Sequence, residues 1–112
     1  MTIKDLTQTD FKSIVLDSNL VTLVEFYADW CVPCKKMTPI LEELSIFYTN
    51  VINIFKLNIE NSPELTKQFS INSVPLLIFF KDGKEINRKV GLISKKNIEN
   101  CIEEIKNVTK TQ

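Results

Sequence analysis

The sequence predicts an α/β fold: a central mixed sheet of four or five strands, flanked by helices on both faces. Apolar runs rich in β-branched residues, typical of buried strands, alternate with stretches in which apolar residues recur every three or four positions. This alternation favours parallel strands joined by right-handed crossovers. Between the last two strand-like runs, Asp82-Gly83 predicts a tight hairpin that adds an antiparallel edge. A chain of 112 residues suits one domain, which we assign to residues 1–112.

The elements are predicted in the order α, β, α, β, α, β, β, α, with a further short strand at residues 3–6. The main strands are expected at residues 20–28, 51–59, 76–80 and 84–90. Caps and prolines mark the helix starts: Thr9 or Asp10 for the first, Ser62-Pro63 for the third and Ser94 for the last. The apolar helical stripes are Phe11, Ile14 and Val15; Met37, Ile40, Leu41, Leu44, Phe47 and Tyr48; and Ile98, Cys101, Ile102 and Ile105. We interpret Met37 and the phenylalanines as core residues.

Composition excludes several functions. Fourteen basic and fourteen acidic residues give a formal net charge of zero, so nothing favours binding to nucleic acid or to an anionic membrane. No apolar run is long enough to span a bilayer, and we expect no secretory signal because the N-terminus lacks a basic segment followed by an apolar one. Without histidine, the chain has no imidazole base and no histidine ligand for zinc. Three cysteines do not make a disulfide framework, which favours a reducing compartment.

Two cysteines, Cys31 and Cys34, fall at the junction between a predicted strand and a helix. The free N–H groups and positive dipole at a helix start stabilise a thiolate, so we expect Cys31 to be an accessible, acidified nucleophile. Cys34 lies one turn further on, within reach of a disulfide. The alternative is half of a zinc or iron–sulfur site, which needs further ligands. Cys101 lies on a helical stripe and is interpreted as a core residue, with a regulatory thiol as the alternative.

Two other residues near the cysteines suggest a role. Glu25 is a carboxylate inside an apolar strand, where burial raises the pKa by disfavouring the charged form. The alternative is that Glu25 points outward as an ordinary strand charge. Pro33 lacks an N–H and suits the first turn of a helix, where that donor has no helical partner. It also stiffens the spacer between the two cysteines.

Several separated motifs resemble the thioredoxin family over residues 3–108. They are Ala28-Asp29-Trp30-Cys31 followed by Pro33-Cys34-Lys35, then Pro39-Ile40-Leu41, Lys56-Leu57-Asn58, Ser73-Val74-Pro75, Phe80-Lys81-Asp82-Gly83 and Val90-Gly91. The resemblance implies the thioredoxin fold and a protein-disulfide reductase that works by thiol–disulfide exchange. In it, Cys31 is the nucleophile and Cys34 the resolving cysteine. Glu25 moves a proton to or from Cys34, with Lys56 nearby to tune it.

The resemblance also implies a binding surface and partners. The peptide bond before Pro75 is expected to be cis, and the backbone just before it is expected to pair with an extended client chain. Trp30, Val32, Pro33, Val74, Pro75 and Gly91 would form an apolar patch beside the nucleophile, and Tyr27 would pack behind it. The expected partners are disulfide-containing clients and a flavin-dependent thioredoxin reductase that supplies electrons from NADPH, with no cofactor or metal bound. We expect a cytoplasmic monomer.

Three residues depart from the usual family pattern. Val32 stands where glycine is usual, Glu25 where aspartate is usual, and Leu76 where threonine is usual. Since the residues between the cysteines tune the reduction potential in this family, Val32 leaves that potential open. Two alternative functions also remain. One is a disulfide oxidase or isomerase, and the other is a non-catalytic binding module with the same fold.

Overall fold

A computed structural model describes residues 3–110, with side chains as far as Val108. The sheet within this range contains β1 (Lys4–Leu6), β2 (Val21–Tyr27), β3 (Ile52–Asn58), β4 (Leu76–Lys81) and β5 (Lys84–Val90). Three α-helices accompany it: α1 (Val32–Phe47), α2 (Pro63–Gln68) and α3 (Lys95–Lys110). The predicted α/β class and the short first strand are confirmed. None of the helices within residues 3–110 combines the length and the apolar character that a bilayer crossing needs.

The strand order is β1-β3-β2-β4-β5. β1, β3 and β2 run parallel, whereas β4 is antiparallel to β2 and β5 is antiparallel to β4. The antiparallel part is therefore larger than the hairpin edge predicted from the sequence. α2 has six residues and is about 9 Å long, whereas a seven-residue strand such as β3 spans about 23 Å. Because α2 is too short to return the chain along β3, β4 begins near the carboxyl end of β2.

Apolar residues cover both faces of the sheet. On one face α1 and α3 pack through Met37, Leu41, Leu44, Ile98, Cys101 and Ile102 against Leu23, Ile52, Ile54, Leu77 and Phe79. The other face carries a phenylalanine cluster in which Phe11, Phe69 and Phe80 meet edge to face with ring centres 5.4 to 5.8 Å apart. β2 lies at the centre of the sheet and is buried on both sides, which places Glu25 in the interior.

Three predicted helical features differ in the structure. Ser62, the predicted cap of α2, stands at the helix start but makes no side-chain capping hydrogen bond. The first helix is a single π-helical turn, Lys12–Leu16, without a side-chain cap. Asp10, a predicted cap, instead accepts a hydrogen bond from the backbone N–H of Thr7 at 2.9 Å. Phe47, predicted as core, is 74% exposed. It points about 90° away from the buried stripe of α1, because successive helical residues turn by about 100°.

Candidate active site

The two cysteines lie at the start of α1 and form a disulfide. Cys31 is the N-cap residue, with an extended backbone, and its Sγ accepts a hydrogen bond from the backbone N–H of Cys34 at 3.2 Å. The Cα atoms of the pair are 5.3 Å apart. Pro33 occupies the first turn, where its missing N–H leaves no helical bond unmade. In the reduced protein, the same N–H group would stabilise a thiolate at Cys31.

Burial of the pair departs from the sequence-based expectation of an accessible Cys31. In this disulfide form Cys31 is only 2% exposed, about as little as Cys34 at 1%. The reason is packing, since Ala28, Tyr27, Ile59 and Val74 surround the two cysteines. Access to the Cys31 sulfur therefore depends on these four residues, which lie around the carboxyl end of β2.

Glu25 points into the interior, so the outward-facing alternative is excluded. The residue is 0% exposed, and its Oε2 atom has no hydrogen-bond partner within the described part of the chain. Oε1 accepts a hydrogen bond from the hydroxyl of Thr38 on α1 at 3.4 Å. Burial raises the pKa of Glu25 to about 7, while the Thr38 hydroxyl and the charge of Lys56 act in the opposite direction. A carboxyl group with this pKa exchanges protons readily near neutral pH.

Thr38 connects this carboxyl group to the disulfide. Its hydroxyl oxygen lies 3.1 Å from the backbone carbonyl oxygen of Cys34, one helical turn earlier. The same hydroxyl is the one that lies 3.4 Å from Glu25 Oε1. A pocket of about 200 Å³ opens beside them, lined by Tyr27, Ala28, Asp29, Cys34, Lys35, Thr38 and Lys56. This volume is large enough for several water molecules in contact with polar groups. The pocket therefore leaves space for water beside Cys34, Thr38 and Lys56.

Lys56 lies next to Glu25, as the resemblance implied. The two residues are paired in the parallel register of β3 and β2. The Nζ atom of Lys56 is 5.3 Å from the centre of the Tyr27 ring, a cation–π distance. The structure thus brings together all four residues assigned to chemistry: Cys31, Cys34, Glu25 and Lys56.

The surface beside the disulfide is apolar and largely exposed. Trp30 is 67% exposed, and Val32 and Pro33 are exposed at the start of α1. The Val74–Pro75 peptide bond is cis, as predicted, and Pro75 is buried whereas Val74 is half-buried. Pro75 therefore does not form part of the exposed surface, whereas the sequence placed it within the apolar patch.

Gly91 closes this surface on the β5 side. It has a φ of +88° and donates its N–H to the carbonyl of Pro75 at 2.8 Å. A Cβ atom at this position would meet nothing within 4 Å, so the positive φ is what requires glycine here. Glycine is therefore needed here for its backbone conformation, and the space beside Gly91 is open.

Sequence reasoning missed several residues at the site. Thr38 binds Glu25, Glu60 accepts a hydrogen bond from the indole N–H of Trp30 at 3.3 Å, and Asp5 accepts one from the Tyr27 hydroxyl. Exposed Val90 and Leu92 extend the apolar surface on either side of Gly91. An apolar residue on each side of a glycine just after the last strand was the one available sequence signal for this extension. The polar partners Thr38, Glu60 and Asp5 are distant in the chain from the residues they bind, so the sequence carried no signal for them.

The third cysteine lies elsewhere. Cys101 is a free thiol, 7% exposed, in the core between α3 and the sheet, which confirms its interpretation as a core residue. Among residues 3–108, no group of three or more cysteine, aspartate or glutamate side chains is arranged to hold a metal ion.

A disulfide at a helix start, together with a cis-proline and a buried carboxyl group, defines a dithiol–disulfide oxidoreductase site. Comparisons with known proteins agree with this class. The thioredoxin family model matches residues 2–104. The chain is 41% identical over 100 residues to a thioredoxin from Buchnera aphidicola, covering 89% of this chain and 93% of that protein. It is 39% identical over 94 residues to a thioredoxin from Rickettsia bellii, covering 84% of this chain and 90% of that one.

The chain therefore belongs to the thioredoxin family, and it is a thiol–disulfide oxidoreductase.

Proposed function

We propose that this protein is a general reductant of disulfides in client proteins and that Cys31 and Cys34 carry the exchange. The observation that carries the proposal is the disulfide between an N-cap cysteine and a cysteine in the first turn of the same helix. The helix start lowers the pKa of a thiol placed there, and the second sulfur is close enough to close the bridge again.

In the proposed reaction, the thiolate of Cys31 attacks one sulfur of the client disulfide. The client S–S bond breaks, a mixed disulfide with Cys31 forms, and the departing client thiolate takes a proton from solvent. The thiolate of Cys34 then attacks the Cys31 sulfur and breaks the mixed disulfide, which releases the second client sulfur as a thiolate. Two electrons pass from the Cys31–Cys34 dithiol to the client, and the protein is left as the intramolecular disulfide.

Glu25 is proposed to take the proton of the Cys34 thiol before the second step. Support comes from the raised pKa of this carboxyl group, about 7, and from Thr38, which bonds to Glu25 and lines one pocket together with Cys34. The pocket bordered by Cys34, Thr38 and Lys56 gives water a place to carry the proton. Lys56 is proposed to tune Glu25, since its positive charge favours the ionised carboxylate.

Clients are proposed to bind on the apolar surface formed by Trp30, Val32, Pro33, Val74 and Gly91, with the buried Pro75 next to Val74. No hydrogen bond within residues 3–110 involves the backbone N–H or carbonyl of Val74, so both groups are available to an extended client segment. Backbone pairing of this kind holds a client without demanding a particular sequence. A reductant with many clients needs such a binding mode.

Recharging is proposed to come from NADPH through a flavin-dependent thioredoxin reductase, with no cofactor bound to this chain. We also propose that residues 1–112 form one domain and that the protein works as a monomer in the cytoplasm. The three-cysteine composition, which makes no disulfide framework, supports the reducing compartment.

The test is reduction of insulin disulfides driven by dithiothreitol. We expect the wild-type protein to accelerate the reaction, Cys31→Ser to give the uncatalysed rate, and Cys101→Ala, the matched thiol control, to retain activity. Cys34→Ser is expected to accumulate a mixed disulfide with insulin, detected by mass spectrometry. Equal rates for wild type and Cys31→Ser would instead favour a binding module whose cysteines serve structure.

A disulfide oxidase is the second candidate, and the exposed Val32 between the cysteines is the observation that favours testing it. The measurement is the reduction potential of the Cys31–Cys34 pair against glutathione. A potential much more oxidising than the cytosolic poise would assign the protein to oxidation or isomerisation.

A further inference from the structure

Asp5, Lys56 and Glu25 lie side by side on three neighbouring strands. Asp5 of β1 is paired with Lys56 of β3, and Lys56 is paired with Glu25 of β2, all in parallel register. Paired residues of parallel strands project to the same face of the sheet, here the face that α1 covers. The Lys56 side chain is thus flanked by an exposed carboxylate on one side and a buried carboxyl group on the other.

The hydroxyl of Tyr27 joins the two strands on either side of Lys56. It donates a hydrogen bond to Asp5 Oδ2 at 2.5 Å, reaching from β2 to β1 across β3. The Tyr27 ring also lies 5.3 Å from Lys56 Nζ. Burial, followed by the hydrogen bond to Asp5, raises the pKa of Tyr27 above its ordinary value, so the hydroxyl remains a donor at physiological pH.

We propose that Asp5 and Tyr27 are positioning residues of the redox site and that they determine how strongly the Lys56 charge acts on Glu25. The inference rests on the proposed role of Glu25 as the acceptor of the Cys34 proton. Asp5 competes with Glu25 for the Lys56 ammonium group, and the Tyr27 hydroxyl limits this competition by binding Asp5. Neither residue needs to touch the reacting sulfur atoms.

The other groups around Glu25 do not supply this control. Thr38 of α1 contributes a hydroxyl, and Leu77, which pairs with Glu25 from β4, is uncharged. Asp29 and Lys35 border the same pocket beyond the end of β2. Of the charged neighbours, Lys56 lowers and Asp5 raises the pKa of Glu25, after the larger effect of burial and that of the Thr38 hydroxyl.

Two substitutions should therefore act in opposite directions. Asp5→Asn removes the competing charge and keeps an acceptor for Tyr27, so Lys56 acts more fully on Glu25 and the pKa of Glu25 falls. Tyr27→Phe keeps the ring and removes the hydroxyl, so Asp5 turns to Lys56 and the pKa of Glu25 rises. The carboxyl groups of Asp5 and Glu25 are about 10 Å apart, two strands from each other, and their interaction is partly screened. In each variant the midpoint of the Glu25 titration should therefore move by about half a pH unit.

The experiment follows the Glu25 carboxyl carbon by ¹³C NMR between pH 4 and 10 in wild type, Asp5→Asn and Tyr27→Phe, and the same spectra report folding. Asp82→Asn is the charge control, because it removes one aspartate from the exposed hairpin, and asparagine tolerates its φ of +52°. The midpoint is expected to fall in Asp5→Asn, to rise in Tyr27→Phe and to stay in place in Asp82→Asn. Asp5→Glu keeps both the negative charge and the acceptor for Tyr27, so the Glu25 midpoint should stay at the wild-type value in this variant.

Opposite shifts support the proposal, and pH–rate profiles of insulin reduction should then move in the same two directions. A midpoint that stays fixed in either variant, or moves the same way in both, overturns it. The proposed function has its own test, which is Glu25→Gln. If that variant keeps the wild-type pH–rate profile, the proton step assigned to Glu25 is wrong, whereas the NMR midpoints still decide whether Asp5 and Tyr27 control this carboxyl group.

Discussion

Replacing Glu25 by glutamine should stabilise the folded protein, and the gain should grow with pH. Burial raises the pKa of Glu25 from 4.5 to about 7. Between these values the carboxyl group is ionised in the unfolded chain but still neutral in the folded protein, so raising the pH favours unfolding. Below pH 4.5 this difference vanishes, and above pH 7 it is complete. A difference of about 2.5 pKa units corresponds to about 3 kcal/mol of lost stability.

Guanidinium unfolding of the oxidised protein at pH 4 and pH 8.5 measures this effect. We expect the free energy of unfolding of Glu25→Gln, relative to wild type, to increase by about 3 kcal/mol between the two pH values. Glu104→Gln, at an exposed position on α3, is the matched control and should follow the wild type. If the advantage of Glu25→Gln over wild type is the same at both pH values, the carboxyl group is not ionising in a desolvated site, and the reasoning fails.

Two further predictions concern α1 and the core. Thr38→Val removes the hydroxyl that favours the charged form of Glu25, so the pKa of Glu25 should rise and the midpoint of the insulin-reduction pH profile should move toward higher pH; an unchanged midpoint would count against the hydrogen bond. Phe47→Ala should cost less than about 1 kcal/mol in urea unfolding, whereas Phe26→Ala should cost about 3–5 kcal/mol, because only the second ring is fully buried. Similar losses in the two variants would contradict the exposed position of Phe47.

Local signals identified most of the elements because each carries its own pattern. The β-branched runs gave β2 and β3, Asp82-Gly83 gave the hairpin between β4 and β5, and Ser62-Pro63 gave the start of α2. The strand end at residue 59 was wrong by one residue, because the Asn58 side chain accepts the Glu60 N–H at 2.8 Å and begins a 3₁₀ turn. The face of Phe47 was wrong because an apolar residue at the margin of a helical stripe points to the core only if a neighbouring element covers it.

The redox pair was predictable because its signal, like those of the helices and strands, is local. Cys31, Pro33 and Cys34 are close in the sequence, and their chemistry depends on the single helix start that they form. The burial of Cys31 in the disulfide form was not predictable, because Ile59 and Val74 reach it from other elements.

The sequence alone identified the atoms to which the chemistry is assigned: two thiols at a strand-to-helix junction and one carboxyl group within an apolar strand. Lys56 beside that carboxyl group was implied by the family resemblance, but only the tertiary structure decided its other surroundings, with Thr38 from α1 and Asp5 tied to Tyr27 at the edge of the sheet. The physical reason is the difference in the distance along the chain over which each effect acts. A helix start acts on residues within one turn of it, whereas desolvation and charge act through space on groups that the chain order keeps far apart.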